Sequence, residues 1–214
     1  MKWKEEKLRY DRLGPKVAEN LKKRHFDAYY AATREEAVEL FFGLIPQEHI
    51  VSWGGTMTME ELGLKPLLRE RGYQVIDRDT AKSPEERVAL MRQTLLCDTF
   101  VMSSNAISAD GQLVNIDGNG NRVAAMCFGP KSVIVVAGMN KVAATYEDAL
   151  ARARKYAAPL RSQSFPDSKN PCLMTGDCVD CTALDCNCAY VVTTRISRPA
   201  KKIKVILVGE DLGF

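Results

Sequence analysis

Long apolar runs are missing from this 214-residue chain, and none approaches the ~20 residues of a membrane helix, which excludes a helical membrane span. Strong charge of one sign is missing too. The formal net charge is +3, and only short clusters such as Lys22-Lys23-Arg24 and Lys201-Lys202 concentrate it, so a basic face for nucleic acid is not expected. The N-terminal MKWKEEKLRYDRLG carries charge throughout and has no apolar core of a leader, so a cytoplasmic location is expected. Neither a Walker lysine nor GxGxxG occurs, which leaves no NAD or ATP motif. The two histidines, His25 and His49, lie in no catalytic pattern and read as helix surface and strand entry.

What is present is an alternation of short apolar strands with helices of three or four turns, the pattern of a largely parallel sheet covered on both sides. The first third reads as helical. PKVAENLKKRHFDAYYA opens on a first-turn proline, and Thr33 to Glu36 form a capping box for AVELFFGLI. His49 to Trp53, YQVID, Thr99 to Ile107, SVIVVAG, AYVVTTRI and KIKVILVG read as strands. MTMEELGLKPLLRERG, SPEERVALMRQTLLCD and TYEDALARARKYAAPLR read as helices. The division expected is a helical segment over 1–32 and an α/β domain over 33–214 with an inserted β-hairpin and a cysteine-rich loop at 171–188.

Two stretches carry candidate binding chemistry. Gly54-Gly55-Thr56 follows a strand and precedes a helix, where backbone N–H groups can meet a phosphate or carboxylate; a tight turn that needs glycine for its geometry is the alternative. The second is SNAISADGQLVNIDGNGNRVAAMCFGP. Asp110-Gly111 marks a hairpin turn, and Gln112 to Asp117 alternates as an exposed arm would. The Asp117 to Asn121 run fails as a calcium loop, because Arg122 stands where glycine is needed and Phe128 where the bidentate glutamate is needed. Turns held by Asx side chains are one reading. In the other, Asn105, Asn115, Asp117, Asn121 and Arg122, with Asp110 at the turn, converge on a small oxygen-rich acid. Asn140-Lys141 follows SVIVVAG at the same sheet edge, and Lys141 there is either a solvated lysine or a partner for an anion.

The series SNAISADGQLVNIDGNGNRVAAMCFGPKSVIVVAGMNKVA, with SWGGTMTMEELGL upstream and VILVGEDLGF at the close, resembles the LUD-domain family of lactate-utilisation proteins, from about Thr33 onward. The resemblance implies a Rossmann-like α/β fold related to the ribose-5-phosphate isomerase, glucosamine-6-phosphate deaminase and coenzyme A transferase group. In that group the strand-GxGxT-helix loop binds phosphate or substrate oxygens, and Gly54, Gly55 and Thr56 occupy the matching place. It also implies an Fe–S oxidoreductase partner, since some members belong to a complex that oxidises L-lactate. The glutamate nucleophile of coenzyme A transferases has no counterpart here, which argues against transferase activity.

Five cysteines fall within the seventeen residues from Cys172 to Cys188, spaced C-x5-C-x2-C-x4-C-x-C. Three or four thiolates on one loop suit zinc or an Fe–S cluster, with Cys172, Cys178, Cys181 and Cys186 as the expected ligands; a reversible dithiol and inert packing are the alternatives. Cys97, on a helix, and Cys127, on a strand, read as small buried hydrophobes. The functional expectation is an organic-acid redox protein, enzyme subunit or accessory, that binds a small organic acid or phosphorylated ligand and can self-associate. A non-catalytic sensor of a small acid or of redox state is the alternative.

Overall fold

The computed structural model describes residues 3–214. In chain order the elements are α1 (Lys4–Lys23), β1 (Asp27–Ala31), α2 (Arg34–Gly43), β2 (Ile50–Trp53), α3 (Met57–Glu61), α4 (Leu64–Glu70), β3 (Gln74–Ile76), α5 (Pro84–Gln93), β4 (Thr99–Met102), β5 (Ala106–Ser108), β6 (Leu113–Asp117), α6 (Asn121–Cys127), β7 (Ser132–Gly138), β8 (Val142–Ala143), α7 (Tyr146–Arg152), α8 (Ala158–Ser162), α9 (Pro171–Thr175), β9 (Tyr190–Thr194) and β10 (Ile203–Val208).

Six strands make one all-parallel sheet in the order β1-β10-β7-β4-β2-β3. SVIVVAG lies at its centre as β7 with all seven residues buried, because both faces are covered. The two-residue period sorts its side chains. Val133, Val135 and Ala137 join the core built with α1 and α6. Ile134 and Val136 join the opposite core with Phe41 and Phe42 of α2 and Leu64 and Leu68 of α4. Four further strands make a mixed sheet, β8-β5-β6-β9, in which Ala106, Val114 and Ile116 pack against Ala149, Ala153 and Ala158.

Local chemistry sets the helix starts. Thr33 Oγ1 accepts from Glu36 N and Ser83 Oγ from Glu86 N, while the two glutamates reach one residue further back, to Ala32 N and Lys82 N. Several sequence expectations need correction. Residues 27–31 are strand, not helix. Once α1 ends at Lys23, the segment pairs in parallel with β10, and Gly14 in α1 lets the Tyr30 ring close in to where a Cβ would stand 2.2 Å from it. The segment 1–32 therefore contributes an edge strand to the main sheet. Thr99 to Ile107 is two strands in two sheets, because the chain turns at Ser104, whose single O–H donates to Ala106 O at 2.8 Å with Val114 O also in reach at 3.2 Å. The hairpin exists as β5 and β6, but β6 is buried along its whole length rather than exposed, since β9 and the α7 region cover it. MTMEELGLKPLLRERG divides into α3 and α4 at Gly63, whose φ is +62°.

Candidate functional site

The carboxyl ends of five adjacent strands open on one cavity. β2 leads into Gly54-Gly55-Thr56, β3 into Asp77-Arg78, β4 into Ser103-Ser104-Asn105, β7 into Asn140-Lys141 and β10 into the last residues of the chain. From β2 the chain steps outward to β3, crosses back to β4 and then builds β7 and β10 on the far side. The direction of construction thus reverses between β2 and β4, the place where open α/β sheets collect ligands. The cavity holds about 190 Å³ and opens to solvent.

Four cations line it, Arg78, Arg122, Lys141 and Arg161, against one acidic side chain, Asp117, and Phe214 lines it as well. Asp117 is already committed. Its Oδ1 accepts from Asn119 N and Gly120 N, its Oδ2 from Arg122 N and Val123 N, so it closes the turn that starts α6. The Asx-turn reading of this run is thus the one the geometry shows.

Arg122 is committed as well. Nη1 donates to Ser103 O and Asn115 Oδ1, Nη2 to Asn105 Oδ1 and Ile116 O, and Asp117 lies 3.7 Å from Nε. Every terminal N–H of this guanidinium is used inside the protein, which makes Arg122 the post that ties β4, β6 and α6 together. A Cβ on Gly54 would come within 2.8 Å of Arg122 Cδ, so that glycine makes room for the post.

Arg78 is the opposite case. Its Nε is buried with no hydrogen-bond partner, and the carboxylate in ion-pair range, Asp79 at 3.9 Å, is also held by Lys65 and Arg87. Burial, with Arg87 nearby, lowers the pKa of the guanidinium. Thr56 Oγ1 is likewise buried without a partner. Arg78 Nη2 would stand 2.6 Å from a Cβ on Gly55, and Arg161 Nη2 3.9 Å, so two guanidinium groups lean over that glycine. Arg161 itself stacks on the Phe165 ring at 4.6 Å. Lys141 is 3% exposed, and its Nζ donates to Thr58 Oγ1 at 3.0 Å and Ser103 Oγ at 2.9 Å. Burial, then Arg152 and Arg122, push its pKa down to about 7.

Of the candidate binding residues, Gly55, Thr56, Asn105, Asp117, Asn121, Arg122 and Lys141 line the cavity. Asp110 does not; it pairs with Arg24 at the far end of the hairpin. Asn115 is fully buried behind Arg122. Asn140 pins the chain end instead, accepting from Leu212 N and donating to Gly213 O. Arg78, Arg161 and Ser103 escaped the sequence reading. Arg78 could have been found from its place directly after YQVID, at the sheet edge already suspected.

The cysteine loop passes beside the cavity through Asn187. Cys172 Sγ lies 3.1 Å from Ser162 Oγ and 3.0 Å from Asn170 Oδ1, and its single S–H can serve either one. Burial raises the Cys188 thiol to about 11, followed by Cys186, Cys181 and Cys178, so Cys188 rather than Cys172 shares surroundings with the other three. As folded, no three His, Cys, Asp or Glu side chains among the described residues are arranged to hold a metal ion. Cys97 is buried as expected; Cys127 ends α6 and is exposed.

The LUD domain model matches residues 14–208. No curated protein matches the chain. Among solved structures, the crystal structure of a DUF162 family protein from Deinococcus radiodurans superimposes with a TM-score of 0.55 over 93% of this chain and 98% of that one, at 10% identity, a likeness of fold alone.

Proposed function

Because this chain belongs to the LUD-domain family, which is associated with lactate utilisation, we propose that it binds a small organic acid or phosphorylated ligand at the carboxyl edge of its parallel sheet and serves organic-acid redox metabolism as a subunit or accessory. The observation that carries this reading is the cationic lining of the cavity, where the Arg78 and Arg161 guanidinium tips lean over Gly55 beside Thr56. Burial disfavours the Arg78 charge, and its nearest carboxylate, Asp79, is shared with Lys65 and Arg87, so a small anion seated among Arg78, Thr56 and Arg161 would supply the charge-assisted partner the guanidinium has only in part. Gly55, with no Cβ, leaves room for the Arg78 guanidinium tip to lie over the backbone at the cavity. Arg122 and Asp117 shape the floor of the cavity from Asn105 and Ile116 without spending donors on the ligand.

Calorimetric titration with L-lactate, pyruvate and inorganic phosphate tests the reading. Saturable binding that is weakened in Arg78→Met supports it. Absence of binding by all three, or equal binding by wild type and variant, counts against it.

A further inference from the structure

Lys141 is not accounted for by anion binding. It is as buried as a core leucine, forms no ion pair among the described residues, and spends two N–H bonds on the hydroxyls of Thr58 and Ser103. Glu61 favours its charge, whereas burial, Arg152 and Arg122 oppose it. Holding an ammonium here without a carboxylate is costly, and the group relieves the cost by giving up its proton near neutrality. A tetrahedral nitrogen with two N–H bonds given to Thr58 and Ser103 has one position left, which in the neutral amine is the lone pair. Lys141 lines the cavity that Arg78 and Thr56 also line.

We propose that Lys141 is a nucleophilic amine that forms a protonated imine with the carbonyl carbon of a small 2-oxo acid, the carboxylate of that acid being held by Arg78 and Thr56. The inference rests on the anion-binding reading above and names its ligand class. The step is balanced without an oxidant. The Nζ lone pair forms a bond to the carbonyl carbon, and the carbonyl π electrons take a proton to give the carbinolamine. Nitrogen keeps one hydrogen, a further proton converts the carbinolamine hydroxyl to water, and water leaves as the C=N bond forms. One amine, one oxo acid and one proton give one iminium and one water. The cationic surroundings keep the amine unprotonated at the start, and the two hydroxyls hold it in place. A 2-hydroxy acid would enter the same site but has no carbonyl to react.

The test is reductive trapping of the full chain. Wild-type protein is incubated with pyruvate above neutral pH, treated with borohydride, weighed intact and mapped by peptide. The expected result is one adduct, of mass equal to the acid less water plus two hydrogens, on the peptide containing Lys141. It should be absent with L-lactate and in Lys141→Arg, and about tenfold reduced in Arg78→Met, in line with loss of a charge-assisted hydrogen bond. The wild-type peptide map needs no variant to fold. Calorimetric binding of pyruvate without an adduct at Lys141 overturns the imine and leaves the anion site standing. An adduct spread over surface lysines overturns it too. Neither binding nor adduct brings down both readings.

Discussion

The guanidinium of Arg78 leans across Gly55 so closely that a Cβ on the glycine would stand 2.6 Å from Nη2. The nearest obstacle to a methyl group is therefore the tip of a flexible side chain, which can move. Gly55→Ala should fold with a melting temperature close to wild type, yet weaken binding of the small anion several-fold, because the displaced tip is the group proposed to hold it. Calorimetry and thermal denaturation of the same preparation separate the two effects. A large loss of stability with unchanged affinity would place the ligand away from Gly55.

Arg78→Met should act with opposite signs on the empty and the loaded protein. The empty protein should gain stability, since a largely buried cation whose Nε lacks a hydrogen bond, and whose one carboxylate in range is shared with Lys65 and Arg87, is replaced by an apolar chain of similar length. Binding of the anion should weaken by about 1.5–3 kcal/mol, the scale of hydrogen bonds to charged groups. Denaturant midpoints with and without ligand read both terms. A variant less stable than wild type in the absence of ligand would mean that Arg78 already has its partner.

Arg122 should behave as structure. Arg122→Met leaves Ser103 O, Ile116 O and the side-chain oxygens of Asn105 and Asn115 without their donor in a buried setting. The expected cost is about 3–5 kcal/mol, measured as a fall in denaturant midpoint. Arg122→Lys should recover little of it, because a point charge cannot reproduce a fork with four acceptors.

Thiol accessibility gives a further expectation. Cys97 is buried, its Sγ donates to Thr99 O, and burial raises its pKa to about 12, whereas Cys127 is exposed and the five loop cysteines are partly so. Alkylation of the native protein followed by peptide mapping should modify Cys127 first and spare Cys97 until the chain unfolds. Early modification of Cys97 would reveal opening between α5 and β4.

The main sheet was legible because its strands are short apolar runs punctuated by glycine and charge, and SVIVVAG admits little else. Asp27 to Ala31 was not, since HFDAYYA after a long amphipathic helix fits a further helical turn, and only pairing with β10, some 175 residues away, decides the matter. The candidate site was half legible. Gly54-Gly55-Thr56 and Lys141 announce themselves by following strands. The roles of Arg122 and Arg78 are set by which acceptors the fold brings to each: four for Arg122, none for Arg78 Nε. No local pattern encodes that difference, so an arginine that holds the protein together and one that lacks a partner look alike in sequence.

Lys141 ties stability to pH in a direction that can be worked out. Its ordinary value is 10.5 and its folded value about 7, lowered by burial and by Arg152 and Arg122, with Glu61 opposing. Between these values the unfolded chain holds a proton on this lysine that the folded chain does not. Stability should therefore rise with pH through this window, by up to about 1.4 kcal/mol per unit, and the penalty is fully present below the folded value. Cys97 acts the other way above its unfolded value of 9.0, so the lower part of the window is the cleaner one. Lys141→Met removes the contribution, and the difference between wild-type and variant stability curves isolates it from every group they share. A difference that grows more favourable to wild type from pH 7 upward would establish a neutral amine under the conditions of the trapping experiment. Parallel curves would mean that Lys141 keeps its proton throughout, and a protonated lysine has no lone pair with which to attack a carbonyl.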